Sequence, residues 1–266
     1  MPHAFLLHLT PTQKLPKHPY LSQYTHGLFY HLLQTLDPAL SAEVHAQKRN
    51  PFSLWAKEQK DSSVMLRVSL LDDSLFQPLI RVVLTESLAG LELGQDQYRV
   101  ARVLATPEGH RDANYESWQD ILCAKPTTSL QFHFFSPTVF STSKLGGAKQ
   151  HYTPLPDPKL MLQSLFKTFQ LYSPIPYSKE ETTGLEHAFE NLFIVTRHDI
   201  RTELALAGKT RLTGFVGKAN IRYQDSAITV KKALAQLGKL AFYSGLGAKT
   251  PYGMGQVRVS LGEDRS

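Results

Sequence analysis

The order in which strand-like and helix-like apolar patterns alternate restricts the fold of this chain more than any other feature. In the N-terminal half, short or alternating apolar runs predict strands, and apolar residues at helical spacing predict helices. The predicted strands are 4–9, 52–56, 64–71 and 98–104, and the predicted helices are 24–36, 39–44 and 74–84. This β-α-β-β-α-β order is that of the ferredoxin-like unit, an antiparallel sheet backed by two helices.

The C-terminal half repeats the same order less clearly. Strands are predicted at 130–135, 192–206, 213–223 and 256–261, and helices at 159–171 and 228–243. Between the halves, residues 106–119 are polar and rich in turn-forming residues. We therefore predict an α+β fold of two tandem ferredoxin-like (RRM-like) βαββαβ domains, at 1–125 and 126–266.

The charge balance favours a polyanionic partner. The 29 lysines and arginines exceed the 23 acidic residues, which gives a formal net charge of +6. Basic proteins release counterions from nucleic-acid phosphates, although many basic proteins bind no nucleic acid.

The single cysteine, Cys123, excludes an intrachain disulfide and a cysteine-based zinc site. Without a signal-peptide pattern or a long apolar run, we expect a cytoplasmic protein that spans no membrane.

A glycine-rich segment at residues 244–257 is the most informative motif. It reads Ser-Gly-Leu-Gly-Ala-Lys-Thr-Pro-Tyr-Gly-Met-Gly-Gln-Val, with two Gly-x-Gly pairs around Lys249. Glycine allows close backbone approach, so such a segment can direct several N–H groups at a phosphate. The same residues also fit a long turn in which Gly245 only caps the preceding helix.

Two nucleotide-binding motifs fail on their context. A dinucleotide site needs its glycines after a strand and before a helix, whereas here a helix precedes them and a strand follows. Gly208-Lys209-Thr210 resembles the end of a P-loop, but Glu203 stands where the first glycine is required. The sequence therefore gives little support for a nucleotide-dependent enzyme.

At the glycine-rich segment the chain resembles the CRISPR repeat-processing endoribonucleases of the RAMP superfamily. The resemblance rests on a helix ending in Ala-Phe-Tyr-Ser-Gly-Leu-Gly, then Lys-Thr, then Gly-Met-Gly-Gln-Val. Segments 27–30, 37–45, 136–138 and 213–215 also match the family in order and spacing. The resemblance covers nearly the whole chain, although only the glycine-rich segment is highly specific.

The resemblance implies an endoribonuclease that binds CRISPR repeat RNA and cuts precursor transcripts within each repeat to give guide RNA. In that family a ribose 2′-hydroxyl attacks the adjacent phosphate and leaves a 2′,3′-cyclic phosphate and a 5′-hydroxyl, without a metal or other cofactor. A CRISPR effector complex and a second copy of the chain are further candidate partners. The alternative is a non-catalytic RNA-binding subunit of an effector complex, which shares the fold and the glycine-rich segment.

The resemblance also indicates catalytic residues. By its position after the first helices, His45 is similar to the family's catalytic histidine, and Tyr30 matches a helix tyrosine that orients the nucleophile. Histidine suits proton transfer near neutral pH. Lys48 is the candidate for stabilising phosphate charge, with Arg49 as the alternative. On the residues alone, a surface histidine that complements the dipole of a helix is the simpler interpretation of His45.

Eleven histidines raise the question of a metal site. The sequence has no His-Glu-x-x-His motif and no compact cluster of histidines and carboxylates at ligand spacing, so we predict no catalytic metal. His26 and His31 lie on the helix predicted at 24–36 and are alternative sources of a second imidazole. Packing or plain exposure is the simpler interpretation of each.

Basic residues outside the glycine-rich segment are predicted to form a track for the repeat RNA. For any one of them, a solvated surface position is the simpler explanation, so only the group carries weight. The complete predicted RNA-binding set is Lys144, Lys149, Lys218, Arg222, Lys231, Lys232, Gly245, Gly247, Lys249, Gly253 and Gly255.

Overall fold

A computed structural model describes residues 1–13, 21–47, 49–86, 90–142 and 150–262. The chain divides into two compact units. The first contains Met1–Glu116, Leu206–Thr210 and Thr250–Gly253, and the second contains Ser117–Ala205, Arg211–Lys249 and Met254–Ser266. A domain boundary near residue 125 stays a prediction. Within the described residues, no helix is both long and apolar enough to cross a membrane.

The first unit is a sheet with helices on one face. Its strands are β1 (His3–Pro11), β2 (Phe52–Glu58), β3 (Val64–Leu70), β4 (Leu91–Leu93), β5 (Asp96–Leu104) and β6 (Asn114–Tyr115). Its helices are α1 (Thr25–Leu36), α2 (Pro38–Ala46) and α3 (Phe76–Glu86), with 3-10 turns at Leu21–Tyr24, Asp73–Leu75 and Thr250–Tyr252. The antiparallel order β2-β3-β1-β5 is that of the ferredoxin-like sheet, to which β4 adds an edge strand and β6 pairs with β1.

Burial of apolar side chains fixes α1 on this sheet. Phe5, Leu7 and Leu9 alternate along β1, and they are buried in one cluster with Leu28 and Leu32 of α1. Removing this apolar surface from water supplies the main force that holds the helix against the strands. Because only one face of α1 is used in this way, its other faces are available for a functional site.

Asp37 ends α1 and begins α2. The Asp37 N–H donates to the Leu33 carbonyl at 2.9 Å, and its carboxylate accepts from the N–H groups of Ala39 and Leu40 at 2.8 and 3.3 Å. Pro38 takes the first helical position, where its missing N–H leaves no hydrogen bond unmade. The predicted break between the helices at 24–36 and 39–44 is confirmed, and it places His45 in the last turn of α2.

The second unit repeats the same arrangement with additions. Its strands are β7 (Ser129–Thr138), β8 (Phe140–Thr142), β9 (His151–Thr153), β10 (Phe193–Ala207), β11 (Thr210–Tyr223) and β12 (Val257–Leu261). Its helices are α4 (Trp118–Leu122), α5 (Pro158–Tyr172), α6 (Lys179–Asn191) and α7 (Ile228–Ser244). The sheet order β10-β11-β7-β12 is again the ferredoxin order, so the prediction of two ferredoxin-like repeats is confirmed. Helices α4 and α6 and the short strands β4, β6, β8 and β9 were not predicted.

Candidate active site

Three aromatic rings from α1 and α2 meet in the first unit. The Tyr30 and His45 ring centroids are 5.1 Å apart, with the ring planes at 81°. The His26 and Tyr30 centroids are 4.8 Å apart. His26 and Tyr30 are four residues apart on α1 and therefore share a face, and α2 brings His45 against them. The structure thus joins the predicted pair Tyr30 and His45 and adds His26 as a second imidazole.

A fourth ring comes from the glycine-rich segment. The Tyr252 ring stacks on His26, with centroids 4.2 Å apart and planes at 8°. Tyr252 was not among the predicted site residues, although it is the one aromatic residue between the two Gly-x-Gly pairs. We refer to His26, Tyr30, His45 and Tyr252 as the four-ring cluster.

Gly253 determines where Tyr252 lies. Gly253 has a φ of +85°, and a Cβ atom there would lie 2.3 Å from the Cβ of Ser22. The Ser22 hydroxyl donates to the Ala56 carbonyl at 2.9 Å and accepts from the Ala56 N–H at 3.1 Å. Since Ser22 is held on β2 by both bonds, only glycine permits this close approach.

The Tyr30 hydroxyl is held in its protonated form. It donates a hydrogen bond to the Asn50 Oδ1 at 3.3 Å. Burial, with a smaller contribution from the neighbouring Tyr252, raises the pKa of Tyr30 above its ordinary value. At neutral pH Tyr30 is therefore a protonated phenol that donates to Asn50, and it is not a base.

Of the remaining catalytic candidates, the structure describes Arg49 and His31. Lys48 lies outside the described residues, and Arg49 is half-buried beside Asn50. His31 is exposed and lies about 100° further round α1 than Tyr30. In the part of the chain that the structure describes, no three His, Cys, Asp or Glu side chains are grouped so that they suit a metal ion.

The glycines of the second unit adopt conformations that its fold requires. Gly245 ends α7 with a φ of +66° and donates to the Ala241 carbonyl at 3.1 Å. Gly247 has a φ of +87°, and a Cβ atom there would lie 2.3 Å from the Val139 carbonyl oxygen. The long-turn interpretation of this segment therefore accounts for both residues.

Most N–H groups of the glycine-rich segment donate within the chain. Gly247 donates to the Ser164 hydroxyl at 3.1 Å. The other donor and acceptor pairs are Leu246 to Gly255, Ala248 to Val139, Gly253 to Thr250, Met254 to Lys249, Gly255 to Pro137 and Gln256 to the Ser136 hydroxyl. These amides hold the segment in place, and RNA binding by Gly245, Gly247, Lys249, Gly253 and Gly255 stays a prediction.

The members of the predicted basic track that the structure describes on β11 and α7 lie on two sides of the second unit. Lys218 and Arg222 are exposed on β11, opposite His133 and Ser129 of β7. This is the outer face of the sheet, because the alternate residues of β7 are buried in the core. Lys231 and Lys232 instead lie in the first turns of α7, which packs on the inner face. Lys144 and Lys149 lie outside the described residues.

Arg258 extends the basic outer face of this sheet. It pairs with His133 across β12 and β7, and its Nη1 is 3.4 Å from the His133 Nδ1. Its guanidinium carbon lies 4.5 Å from the centroid of the Phe135 ring, a cation–π contact. Arg258, His133 and Lys218 therefore form one row across three strands. Arg258 was not among the predicted RNA-binding residues, although its position between Val257 and Val259 on β12 places it on this face.

Comparisons with known proteins identify relatives of this chain. The sequence profile of the family described as CRISPR-associated endoribonuclease Cas6 matches residues 132–257. A solved Cas6 product complex is 41% identical, with a TM-score of 0.93, over 98% of this chain and 100% of that one. A structure of Thermus thermophilus Cas6 is 39% identical, with a TM-score of 0.80, over 98% of each chain. A CRISPR-associated endoribonuclease Cas6 of Mycobacterium tuberculosis is 26% identical over 90% of this chain and 71% of its own length.

Proposed function

This chain belongs to the family of CRISPR-associated endoribonucleases named Cas6, and from that premise we propose that the four-ring cluster is its catalytic centre. The protein is an endoribonuclease that binds CRISPR repeat RNA and cuts it. The observation that carries the assignment of the site is the contact of His26 and His45 with the same tyrosine, Tyr30, at 4.8 and 5.1 Å between ring centroids.

Two imidazoles beside one phosphate suit the two proton transfers of RNA transesterification. One imidazole, neutral at the start, takes the proton from the ribose 2′-hydroxyl while O2′ attacks phosphorus. The other imidazole, protonated at the start, gives its proton to O5′ as the P–O5′ bond breaks. The products are a 2′,3′-cyclic phosphate and a 5′-hydroxyl, with no change in the number of protons. Histidine is suited to both tasks near neutral pH, so the proposed mechanism needs no metal.

The other residues of the site orient the reacting groups and stabilise the charge on the phosphorane. The Tyr30 hydroxyl donates its single proton to Asn50, which holds its orientation, and its oxygen can accept a hydrogen bond from the ribose 2′-hydroxyl. Tyr252 restrains the His26 ring by stacking. We retain Lys48, with Arg49 as the alternative, as the cation that offsets charge on the phosphorane.

We propose the partners and the cellular location of the protein from its family. We propose that the cut RNA passes to a CRISPR effector complex, that the protein works in the cytoplasm, and that a homodimer is a further partner state. The rival function is a non-catalytic RNA-binding subunit of such a complex. The two imidazoles at one tyrosine favour catalysis, because RNA binding alone does not require them.

The test of this function is cleavage of the cognate repeat RNA in EDTA, followed by analysis of the product ends. We expect one cut per repeat, a 2′,3′-cyclic phosphate on the upstream fragment and a 5′-hydroxyl on the downstream fragment. Cutting that requires an added divalent ion, or that leaves a 5′-phosphate, would contradict the proposed chemistry.

Because Tyr252 stacks on His26, we expect the effect of a substitution at Tyr252 on the cleavage rate to depend on whether the ring is kept. Tyr252→Phe keeps the ring and is expected to keep the cleavage rate within about threefold, whereas Tyr252→Ala removes the stack and is expected to lower it by about ten- to a hundredfold. Single-turnover rates measure this difference, and thermal melting checks that both variants fold. Equal loss in both variants would show that the hydroxyl of Tyr252, and not its ring, supports the reaction.

A further inference from the structure

A concave surface lies next to the four-ring cluster on α1. It has a volume of about 350 Å³ and is lined by Gln23, Tyr24, Gly27, Leu28, His31, Glu92 and Gly94. This volume falls in the range of roughly 300–1,000 Å³ that is typical of small-molecule sites. We refer to it as the α1–β4 concavity, because its walls are α1 with the turn before it, and β4 with the turn after it.

The α1–β4 concavity is within reach of RNA bound at the cluster. Gly27 directly follows His26, and His31 directly follows Tyr30, so the two sites occupy adjoining faces of the same helix. A helix with its side chains is only about 10–12 Å across. A nucleotide next to the one that reacts can therefore place its base in the concavity.

One wall of the concavity is an aromatic ring held in place by a glycine. Tyr24 is 38% exposed, so a base has access to it. Gly94 has a φ of +76°, and a Cβ atom there would lie 3.1 Å from the Tyr24 ring. The absence of a side chain at Gly94 thus lets the ring pack against the turn that joins β4 and β5. Exposed aromatic rings are the usual stacking platforms for unpaired bases.

The charge of the opposite wall limits what the concavity can bind. Glu92 is exposed on β4, and among the described residues no side chain forms an ion pair or hydrogen bond with its carboxylate. A carboxylate this close to an RNA-cutting site repels phosphate, so the group that fits against it must present hydrogen-bond donors. Of the four bases, only guanine presents two adjacent donors, N1–H and N2–H, to a bidentate acceptor.

We propose that the α1–β4 concavity is a guanine-binding subsite for a nucleotide that flanks the scissile phosphate. Tyr24 stacks on the base, and Glu92 accepts from its N1–H and N2–H. Gln23 and His31 line the same space and supply donors for the guanine O6. This subsite rests on the proposed function, because the base is delivered by the RNA held at the four-ring cluster.

The test uses a library of the cognate repeat in which the nucleotides on both sides of the cut are randomised. Sequencing of the cut and uncut pools gives the base preference of each variant at each position. For the wild-type protein we expect guanine to be enriched about tenfold at one flanking position. Glu92→Gln is expected to reduce that enrichment to below about twofold, because an amide offers one acceptor and one donor to the base.

Glu43→Gln is the matched control, since it removes an exposed carboxylate of the same unit from α2. It is expected to keep the guanine preference. Tyr24→Ala is expected to slow the cutting of guanine-containing members. Absence of a guanine preference in the wild type, or its survival in Glu92→Gln, overturns the subsite while the proposed function stands. If the wild type cuts no library member, the proposed function is overturned and the subsite with it.

Discussion

Replacing His45 with alanine is expected to lower the cleavage rate about a thousandfold while the repeat RNA still binds. The His45 ring lies edge-on to Tyr30, 5.1 Å between centroids, and it is exposed enough to meet a phosphate. Removing it leaves one imidazole for two proton transfers. Because His45 is exposed in the last turn of α2, its loss removes little packing, and the fold is expected to persist.

The measurement is single-turnover cleavage in EDTA with saturating protein, beside a filter-binding assay on the same RNA. His187→Ala is a suitable control, because His187 is an exposed histidine of α6 in the second unit. A repeat with a single 2′-deoxy at the cut site should bind and resist cutting by the wild type, because its nucleophile is missing. Full activity in His45→Ala would remove this residue from the chemistry, and binding without cutting by the wild type would favour the non-catalytic subunit.

Gly247→Ala is expected to destabilise the protein by roughly 3 kcal/mol. The φ of +87° is costly for alanine, and its Cβ atom would lie 2.3 Å from the Val139 carbonyl oxygen. That oxygen also accepts the Ala248 N–H at 2.8 Å, so it cannot withdraw without breaking a hydrogen bond. A loss of this size is a large fraction of the stability of an ordinary domain.

Urea unfolding measures the effect, and Gly184→Ala provides the contrasting glycine. Gly184 lies within α6, and a Cβ atom there meets nothing within 4 Å, so alanine should stabilise the helix by about 0.5–1 kcal/mol. RNA binding per folded molecule should change little in Gly247→Ala if the glycine serves the fold. A variant that folds normally but loses RNA binding would instead support the predicted contact of Gly247 with RNA.

The order of elements was predictable because ferredoxin-like units combine strongly periodic strands with amphipathic helices. Helix α6 was missed because its sequence, from Lys179 to Asn191, is mostly polar and has few apolar residues to reveal a period. Its start is nevertheless encoded by a capping box, in which the Ser178 hydroxyl accepts from the Glu181 N–H at 3.2 Å. Strands of two or three residues such as β4 are too short to show any alternation.

The residues of the candidate site were predictable only in part. The family resemblance indicated His45 and Tyr30, and it left His26 and His31 as alternatives. The register of α1 separates these two, because His26 shares a face with Tyr30 and His31 does not. Tyr252 is distant in sequence from both, and no local pattern predicts that a turn near the C-terminus stacks on α1. Contacts of this kind depend on the tertiary fold, and the close packing of Gly253 on Ser22 is visible only there.

Because Tyr252 belongs to the first unit, the four-ring cluster cannot be completed until residue 252 has been synthesised. The chain emerges from the ribosome from its N-terminus, at about 5–20 residues per second, so residues 1–116 are available long before residue 252. A nascent chain therefore carries three rings of the cluster while the fourth is still to be synthesised. On the proposed function, full cutting activity is delayed until residue 252 has been synthesised, and a product truncated before Tyr252 lacks the residue that steadies His26.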